Sequence, residues 1–256
     1  MTKRQSGRGV DRNTEKPQYQ WHYLVVLPAW VLFSFMASIL LTSGILWVLD
    51  FINLSFEYWF KPSVYQAIIS SFIFILSITI TIGVPYWLKR QKTTLDDLGL
   101  AKLMTWTDIG LAPVTFIAYL LTVATVMGVV VTVFPDFPIN EVQDTGFSPF
   151  GSRLDSMMAF LTLVVVAPVA EEVLFRGYLY GKLKRYVPVV WAAVATSALF
   201  ALVHFQWNVA LDVFVLSLFL CGLRSLTGSI WASILLHMTK NGVAYFISMS
   251  PFILGG

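Results

Sequence analysis

The stretch VVVAPVAEEVLFRGYLYGKLKR, residues 164–185, places two adjacent carboxylates in an otherwise apolar helix. Glu171 and Glu172 are followed by Arg176, four residues after the second glutamate. A charge at the centre of a membrane helix costs about 2.5–3.5 kcal/mol, whereas each Leu, Ile, Val or Phe returns about 0.3–0.6 kcal/mol. Ten such apolar residues between positions 160 and 175 therefore return roughly 3–6 kcal/mol against roughly 7–10 kcal/mol for the three charges. This helix needs a bundle interior or a wet cavity around its charges.

The rest of the chain has the composition of a membrane protein. Of its 256 residues, 57% are hydrophobic and 12% charged, with a mean hydropathy of +0.74, whereas a soluble domain carries about 25% charged residues. The apolar runs predict an all-α polytopic transmembrane helix bundle of about seven spans, or eight if the interfacial segment near LDDLGL is counted. We place the spans at about 23–49, 64–88, 109–134, 155–185, 187–206, 209–226 and 230–249. The net charge of +3 is small, which argues against a nucleic-acid partner.

The Lys and Arg residues alternate between the two sides of the predicted spans. The N-terminal tail holds five, and the successive loops hold one, four, one, three, none and one. Positive residues accumulate on the cytoplasmic side of membrane proteins. The pattern predicts a multi-pass protein of the cell membrane with its N-terminus in the cytoplasm. It places residues 135–152 outside the cell and residues 182–185 inside.

The spacing of the charges in the fourth helix suggests different roles for the two glutamates. Glu172 and Arg176 stand four residues apart, so they share a helix face and can pair. Glu171 is turned about 100° away from that face. One carboxylate thus has a cation within reach and the other has none, which makes Glu171 the better candidate for a general base.

Two further polar pairs lie in later helices at a similar depth. FALVH places Phe200 and His204 on one face of the fifth helix, and HMTKN places His237 and Asn241 on one face of the seventh. At 1.5 Å per residue from the cytoplasmic helix ends, Glu171 lies about 21 Å deep, His204 about 25 Å and the last pair about 14–20 Å. We expect these side chains to meet.

Each of these features has an ordinary structural interpretation when taken alone. A single His or Asn in a membrane helix is usually an interhelical hydrogen-bond partner, and Glu172 with Arg176 is by itself a structural ion pair. Lys240 is expected to extend towards the membrane surface and Asp212 to lie near the outer interface. A functional interpretation therefore depends on the common depth of the polar groups.

The three motifs together resemble the CPBP family. EEVLFRG matches the EExxxR motif of that family, FALVH matches FxxxH, and HMTKN matches HxxxN, all in family order across about residues 155–249. The family joins type II CAAX prenyl endopeptidases with bacteriocin-processing and immunity proteins, the Abi group. Composition and charge divide the first part of the chain into a basic cytoplasmic tail (1–21) and three spans with an interfacial segment and an acidic loop (22–152). The resemblance implies that the remainder is a catalytic helical core (153–256).

The resemblance also implies roles for the motif residues. It assigns water activation to Glu171 and His204, and oxyanion stabilisation to His237 and Asn241. Supporting roles fall to Glu172, Arg176 and Phe200. The implied activity is hydrolysis of a peptide or protein substrate in or at the bilayer, membrane-associated, prenylated or of bacteriocin type. The alternative is a non-proteolytic bacteriocin-immunity factor, or a partner of another membrane protein, that uses the same polar cluster structurally.

The resemblance leaves the cofactor open. The family is commonly labelled metalloprotease, and Glu171, His204 and His237 could hold Zn²⁺ with an open coordination position. The HExxH motif is absent from the sequence, and the same groups suffice for general-base hydrolysis without a metal. We favour metal-free hydrolysis slightly and retain zinc as the candidate cofactor.

The predicted orientation can be tested by cysteine labelling of intact cells. A membrane-impermeant thiol reagent should modify Gln143→Cys, because the Lys/Arg alternation places this loop outside. It should spare Lys184→Cys until the membrane is permeabilised. The reverse pattern would invert the predicted topology.

Overall fold

The computed structural model describes residues 18–139, 141, 147 and 152–254, with side chains as far as residue 248. Most of the predicted tail (1–21) and part of the predicted acidic loop, including position 143, lie outside the described residues. Every regular element within the described part is helical. We number the helices α1 Tyr23–Phe51, α2 Pro62–Lys89, α3 Leu95–Leu98, α4 Trp106–Val133, α5 Arg153–Leu183, α6 Val189–Leu202, α7 Trp207–Thr227 and α8 Trp231–Leu254.

Five of these helices are long and apolar enough to cross a membrane by length and composition. They are α1, α2, α4, α5 and α7, with 21 to 31 residues each. Helix α6 has 14 residues, or about 21 Å, less than the roughly 30 Å of a hydrocarbon core. The predicted all-α, multi-pass bundle is confirmed. The five helices correspond to predicted spans one to four and six, while the short α3 occupies the predicted interfacial segment.

Three helices begin at reciprocal capping boxes. In each, a Ser or Thr side chain accepts a hydrogen bond from the backbone N–H of an Asp three residues later, and that carboxylate accepts one from the Ser or Thr backbone: Thr94 with Asp97, Thr105 with Asp108, and Ser152 with Asp155. Such pairs satisfy N–H groups that have no partner inside the helix. They define the starts of α3, α4 and α5.

Helix α5 is central in the bundle, where it contacts α1, α2, α3, α6, α7 and α8. It contains two π-helical stretches, Leu161–Val166 and Val173–Tyr180, on either side of an α-helical turn that carries both glutamates. Such stretches occur frequently at functional sites. A large buried cluster surrounds the C-terminal half of α5, and a second one joins α4, α7 and α8. Glu171 and Glu172 therefore lie on a central helix of the fold.

Helix α3 packs directly on the C-terminal half of α5. A Cβ atom at Gly177 would lie 3.1 Å from the Leu98 carbonyl oxygen, and one at Gly181 would lie 3.0 Å from the Asp97 carbonyl oxygen. Both distances are tighter than ordinary Cβ contacts, so glycine is needed where the two backbones approach. The LDDLGL segment is thus part of the core and not only an interfacial helix.

An ion pair adds to this contact outside the membrane-spanning segments. Arg185 Nη2 donates to Asp97 Oδ1 at 2.5 Å, and the Thr94 backbone N–H donates to Asp97 Oδ2 at 2.8 Å. The Thr94 backbone and the Arg185 guanidinium lower the pKa of Asp97 from 3.8 to about 2. A lowered pKa stabilises the fold above pH 3.8, and this contribution is lost as the pH falls through about 2. It is therefore fully present at neutral pH.

Because α3 and α5 approach closely, adding a methyl group between their backbones should destabilise the fold. Gly181→Ala should lower the thermal unfolding temperature of the purified protein, because overpacking costs about 1–3 kcal/mol. Gly110→Ala and Gly128→Ala in α4 are matched controls, since no atom lies within 4 Å of a Cβ atom at either position. They should be neutral or stabilising by up to about 1 kcal/mol. Equal effects at all three positions would contradict the packing argument.

Candidate active site

The four predicted reacting groups line a single cavity. Glu171 comes from α5, His204 from the turn after α6, and His237 and Asn241 from α8. The cavity has a volume of about 310 Å³. The structure thus brings together the groups that the common depth predicted to meet.

Glu172 is the buried anchor beside this cavity. Its side chain is 0% exposed, and its Oε1 atom accepts a hydrogen bond from Arg176 Nη1 at 2.9 Å. The same oxygen accepts one from His237 Nδ1, also at 2.9 Å. The Arg176 guanidinium carbon lies 4.5 Å from the ring centroid of Phe200, a cation–π distance. The predicted pairing of Glu172 with Arg176 is confirmed, and the contact with His237 is an addition that the sequence did not indicate.

Glu171 faces the cavity with 20% of its side chain exposed. Its Oε2 atom lies 3.7 Å from His237 Nε2, too far for a direct hydrogen bond but close enough for both atoms to contact one water molecule. The two neighbouring glutamates therefore have different surroundings: Glu172 is fully buried and bonds to Arg176 and His237 through Oε1, and Glu171 keeps a carboxylate open to the cavity.

His204 lies beyond the end of its helix rather than within it. We predicted the fifth helix to extend to 206, but α6 ends at Leu202, and the His204 backbone N–H bonds to the Ala201 carbonyl. The Phe200 carbonyl is consequently free of its usual helical partner, and it accepts a hydrogen bond from His204 Nδ1 at 2.7 Å. Since a carbonyl can only accept, Nδ1 carries a hydrogen, and in the neutral ring Nε2 then has the lone pair. The predicted pairing with Phe200 holds, with ring centroids 5.0 Å apart.

Asn241 is held by the first π-helical stretch of α5. Its Nδ2 atom donates to the Leu163 carbonyl oxygen at 2.9 Å. A side-chain amide nitrogen has two hydrogens, so one remains for another acceptor. Leu163 itself lines the cavity, and the contact therefore places the Asn241 amide at the cavity wall.

Lys240 also lines the cavity, and its extension towards the membrane surface stays a prediction. Its Nζ atom lies 3.0 Å from Asp212 Oδ2 on α7. The other Asp212 oxygen accepts a short hydrogen bond from the hydroxyl of Tyr119 on α4. Tyr119 is 2% exposed. The carboxylate of Asp212 retains Lys240 inside the bundle because it neutralises the ammonium there.

Sequence reasoning missed the residues that α2 contributes. Ser70 and Phe74, four residues apart on α2, line the cavity. Nothing distinguishes them locally, since Ser and Phe are common in membrane helices. Lys240, in contrast, carried a usable signal, because a lysine inside an otherwise apolar span requires a partner.

The donors do not form a metal site. Among the described residues, no group of three or more His, Cys, Asp or Glu side chains is arranged to hold a metal ion. A catalytic zinc site normally has three protein ligands, so the candidate set of Glu171, His204 and His237 does not fit zinc in this arrangement.

The fold and the site together define a multi-pass helical membrane protein with a carboxylate–histidine cavity enclosed by its helices. A family model described as Type II CAAX prenyl endopeptidase Rce1-like matches residues 153–243. This range begins with α5 and ends two residues beyond Asn241, so it contains all three motifs.

Two curated proteins are similar to the chain. The UPF0177 protein YxdF of Lactococcus lactis subsp. lactis (strain IL1403) is 32% identical over 123 residues, 47% of this chain and 67% of that protein. An Escherichia coli protein named Uncharacterized 24.3 kDa protein is 34% identical over 89 residues, 33% of this chain and 41% of that protein. The chain thus spans less than half the length of the second relative. No solved structure matches it.

The chain belongs to the CPBP family, which includes the type II CAAX prenyl endopeptidases. The resemblance of the three motifs is therefore confirmed at the level of the family.

Oε1 of Glu172 bonds to both Arg176 and His237. Replacing Glu172 should therefore destabilise the fold, whereas replacing Glu171 should not. Glu172→Gln should lower the thermal unfolding temperature strongly, because removing one partner of a buried ion pair costs about 3–5 kcal/mol. Adding Arg176→Gln should recover part of this loss, since it removes the stranded cation. Glu171→Gln is the matched control and should change the unfolding temperature much less. A double variant no more stable than Glu172→Gln alone would contradict this account.

Proposed function

We propose that the protein is an intramembrane endopeptidase in which Glu171 and His204 activate a water molecule. One observation carries the proposal: Glu171, His204, His237 and Asn241 line the same cavity inside a helical membrane bundle. The membership of the family supports the same reaction class. The names of the two relatives state no activity.

The surroundings of Glu171 and His204 suit water activation. The Glu171 carboxylate is open to the cavity, and His204 presents the Nε2 lone pair because its Nδ1 proton is engaged by the Phe200 carbonyl. A water molecule can donate one hydrogen to each of these acceptors. The Phe200 carbonyl holds the His204 ring from outside the cavity, which lowers the cost of orienting the water.

The reaction balances without a cofactor. Glu171 takes a proton from the water molecule. At the same time the water oxygen bonds to the scissile carbonyl carbon, and the carbonyl oxygen becomes an oxyanion. The oxyanion reforms the carbonyl as the C–N bond breaks, and Glu171 returns its proton to the leaving nitrogen. The products are a carboxylic acid and an amine. Asn241 has a free amide hydrogen that can bond to the oxyanion. Glu172, paired with Arg176, holds His237 beside Asn241.

We further propose that the substrate is a peptide segment that enters the cavity from the bilayer. A membrane-associated, prenylated or bacteriocin-type peptide fits this requirement, because the cavity lies between helices that carry apolar outer faces. The proposal also includes the predicted orientation, with the N-terminus in the cytoplasm.

The proposal is tested with purified protein in lipid nanodiscs and a library of membrane-anchored peptides, prenylated and unprenylated. The wild-type protein should cleave a subset of these peptides. Glu171→Gln should lose at least about 100-fold in kcat, because it removes the general base, while it folds and accumulates normally. Glu57→Gln is the matched control at an exposed position and should retain activity.

The outcomes separate the two candidate functions. A Glu171→Gln variant as active as the wild type would show that Glu171 is not the general base. A wild-type protein that cleaves no peptide, prenylated or not, would favour the non-proteolytic alternative of an immunity factor or membrane-protein partner.

A further inference from the structure

We propose that Lys240 is a further catalytic residue of this site, an oxyanion donor that Asp212 and Tyr119 hold in position. The inference rests on the proposed hydrolase function. It starts from a cation that the reaction described above does not use, although this cation lines the same cavity as Glu171.

The charge movement in the reaction creates a need for such a group. Before the attack, the negative charge is on the Glu171 carboxylate. Once Glu171 has taken the water proton, the negative charge is on the former carbonyl oxygen. Donors aimed at that oxygen therefore stabilise the transition state more than the ground state, and this difference is what accelerates a reaction.

The available hydrogen-bond donors favour Lys240. His237 uses its Nδ1 proton on Glu172, so it can donate from Nε2 only when the ring carries a second proton. Asn241 has one amide hydrogen left after its bond to Leu163. Lys240 has three N–H donors and one acceptor partner, Asp212, among the described contacts. It also brings a full positive charge.

The position of Lys240 agrees with this role. It follows His237 by three residues on α8, so the two side chains share a helix face, with Cβ atoms about 5–6 Å apart. His237 Nε2 in turn lies 3.7 Å from Glu171 Oε2. An oxyanion that forms beside Glu171 therefore lies next to the face of α8 that carries Lys240, which lines the same cavity.

Asp212 and Tyr119 act as positioning residues. Asp212 does not line the cavity, and its two oxygens are divided between Lys240 Nζ and the Tyr119 hydroxyl. The tyrosine anchors the carboxylate from α4, which lies outside residues 153–243. This arrangement limits the rotamers of a flexible lysine, and such preorganisation is what an oxyanion donor requires.

A competing interpretation treats Lys240 and Asp212 as a structural ion pair between α7 and α8. The two interpretations differ in a double variant. Lys240→Met with Asp212→Asn removes both charges, and the amide oxygen that replaces the carboxylate can still accept a hydrogen bond from the Tyr119 hydroxyl. No buried charge is stranded, so the fold should be retained under either interpretation.

The experiment measures kcat, KM and the unfolding temperature for four proteins on a quenched-fluorescence peptide that the wild type cleaves in the library. They are the wild type, Lys240→Met/Asp212→Asn, Lys240→Arg and Asp212→Asn. We expect the double variant to unfold near the wild-type temperature but to lose about 100- to 1,000-fold in kcat, with KM changed less than about threefold. Lys240→Arg should recover part of kcat, because it keeps the cation and its donors.

The outcomes distinguish a failure of the role of Lys240 from a failure of the proposed function. A double variant with nearly wild-type kcat would overturn the role of Lys240 and leave a structural pair, while the proposed function stands. A Lys240→Arg variant as inactive as the double variant would also overturn it. Failure of the wild type to cleave any library peptide would overturn the proposed function and this inference with it.

Discussion

A carboxylate with no solvent contact, that of Glu172, holds the centre of the bundle together. An ionised carboxylate in such surroundings is tolerated only when it is paired and hydrogen-bonded, and one oxygen of Glu172 meets both Arg176 and His237. Because His237 belongs to α8 and Arg176 contacts Phe200 of α6, the carboxylate sets the rotation and depth of three helices at once. A shift of any of them would strand a buried charge.

This constraint also explains how two adjacent glutamates acquire different chemistry. A rotation of about 100° separates neighbouring side chains on a helix, so locking Glu172 into its partners turns Glu171 towards the cavity. Glu172 is fully buried beside its partners, whereas Glu171 keeps 20% of its side chain exposed. His204 is oriented in a comparable way, because the end of α6 frees the Phe200 carbonyl to hold its ring.

The helices outside the matched region of residues 153–243 contribute to the site as well. Ser70 and Phe74 of α2 form part of the cavity wall, and Tyr119 of α4 contacts Asp212, the partner of Lys240. Helix α3 packs on α5 where glycines allow the backbones to approach. Helices α2, α3 and α4 thus support the geometry of α5 to α8.

The sequence alone determined the features that depend on local spacing. Apolar runs of sufficient length form helices in a membrane, a Glu and an Arg four residues apart can pair, and the three motifs identify the family. The same reasoning placed Glu171, His204, His237 and Asn241 at one depth. The depths followed from the helical rise per residue and from the orientation that the Lys and Arg residues predict.

The tertiary structure decided every contact between helices that are far apart in the chain. It brought His237 onto Glu172, retained Lys240 in the cavity on Asp212, and added Ser70 to the wall. It also ended α6 before His204, which determines the nitrogen that carries the proton. These contacts depend on the relative rotation and depth of separate helices. A change of one residue in register moves a side chain by about 1.5 Å and 100°, and no local pattern specifies such a shift.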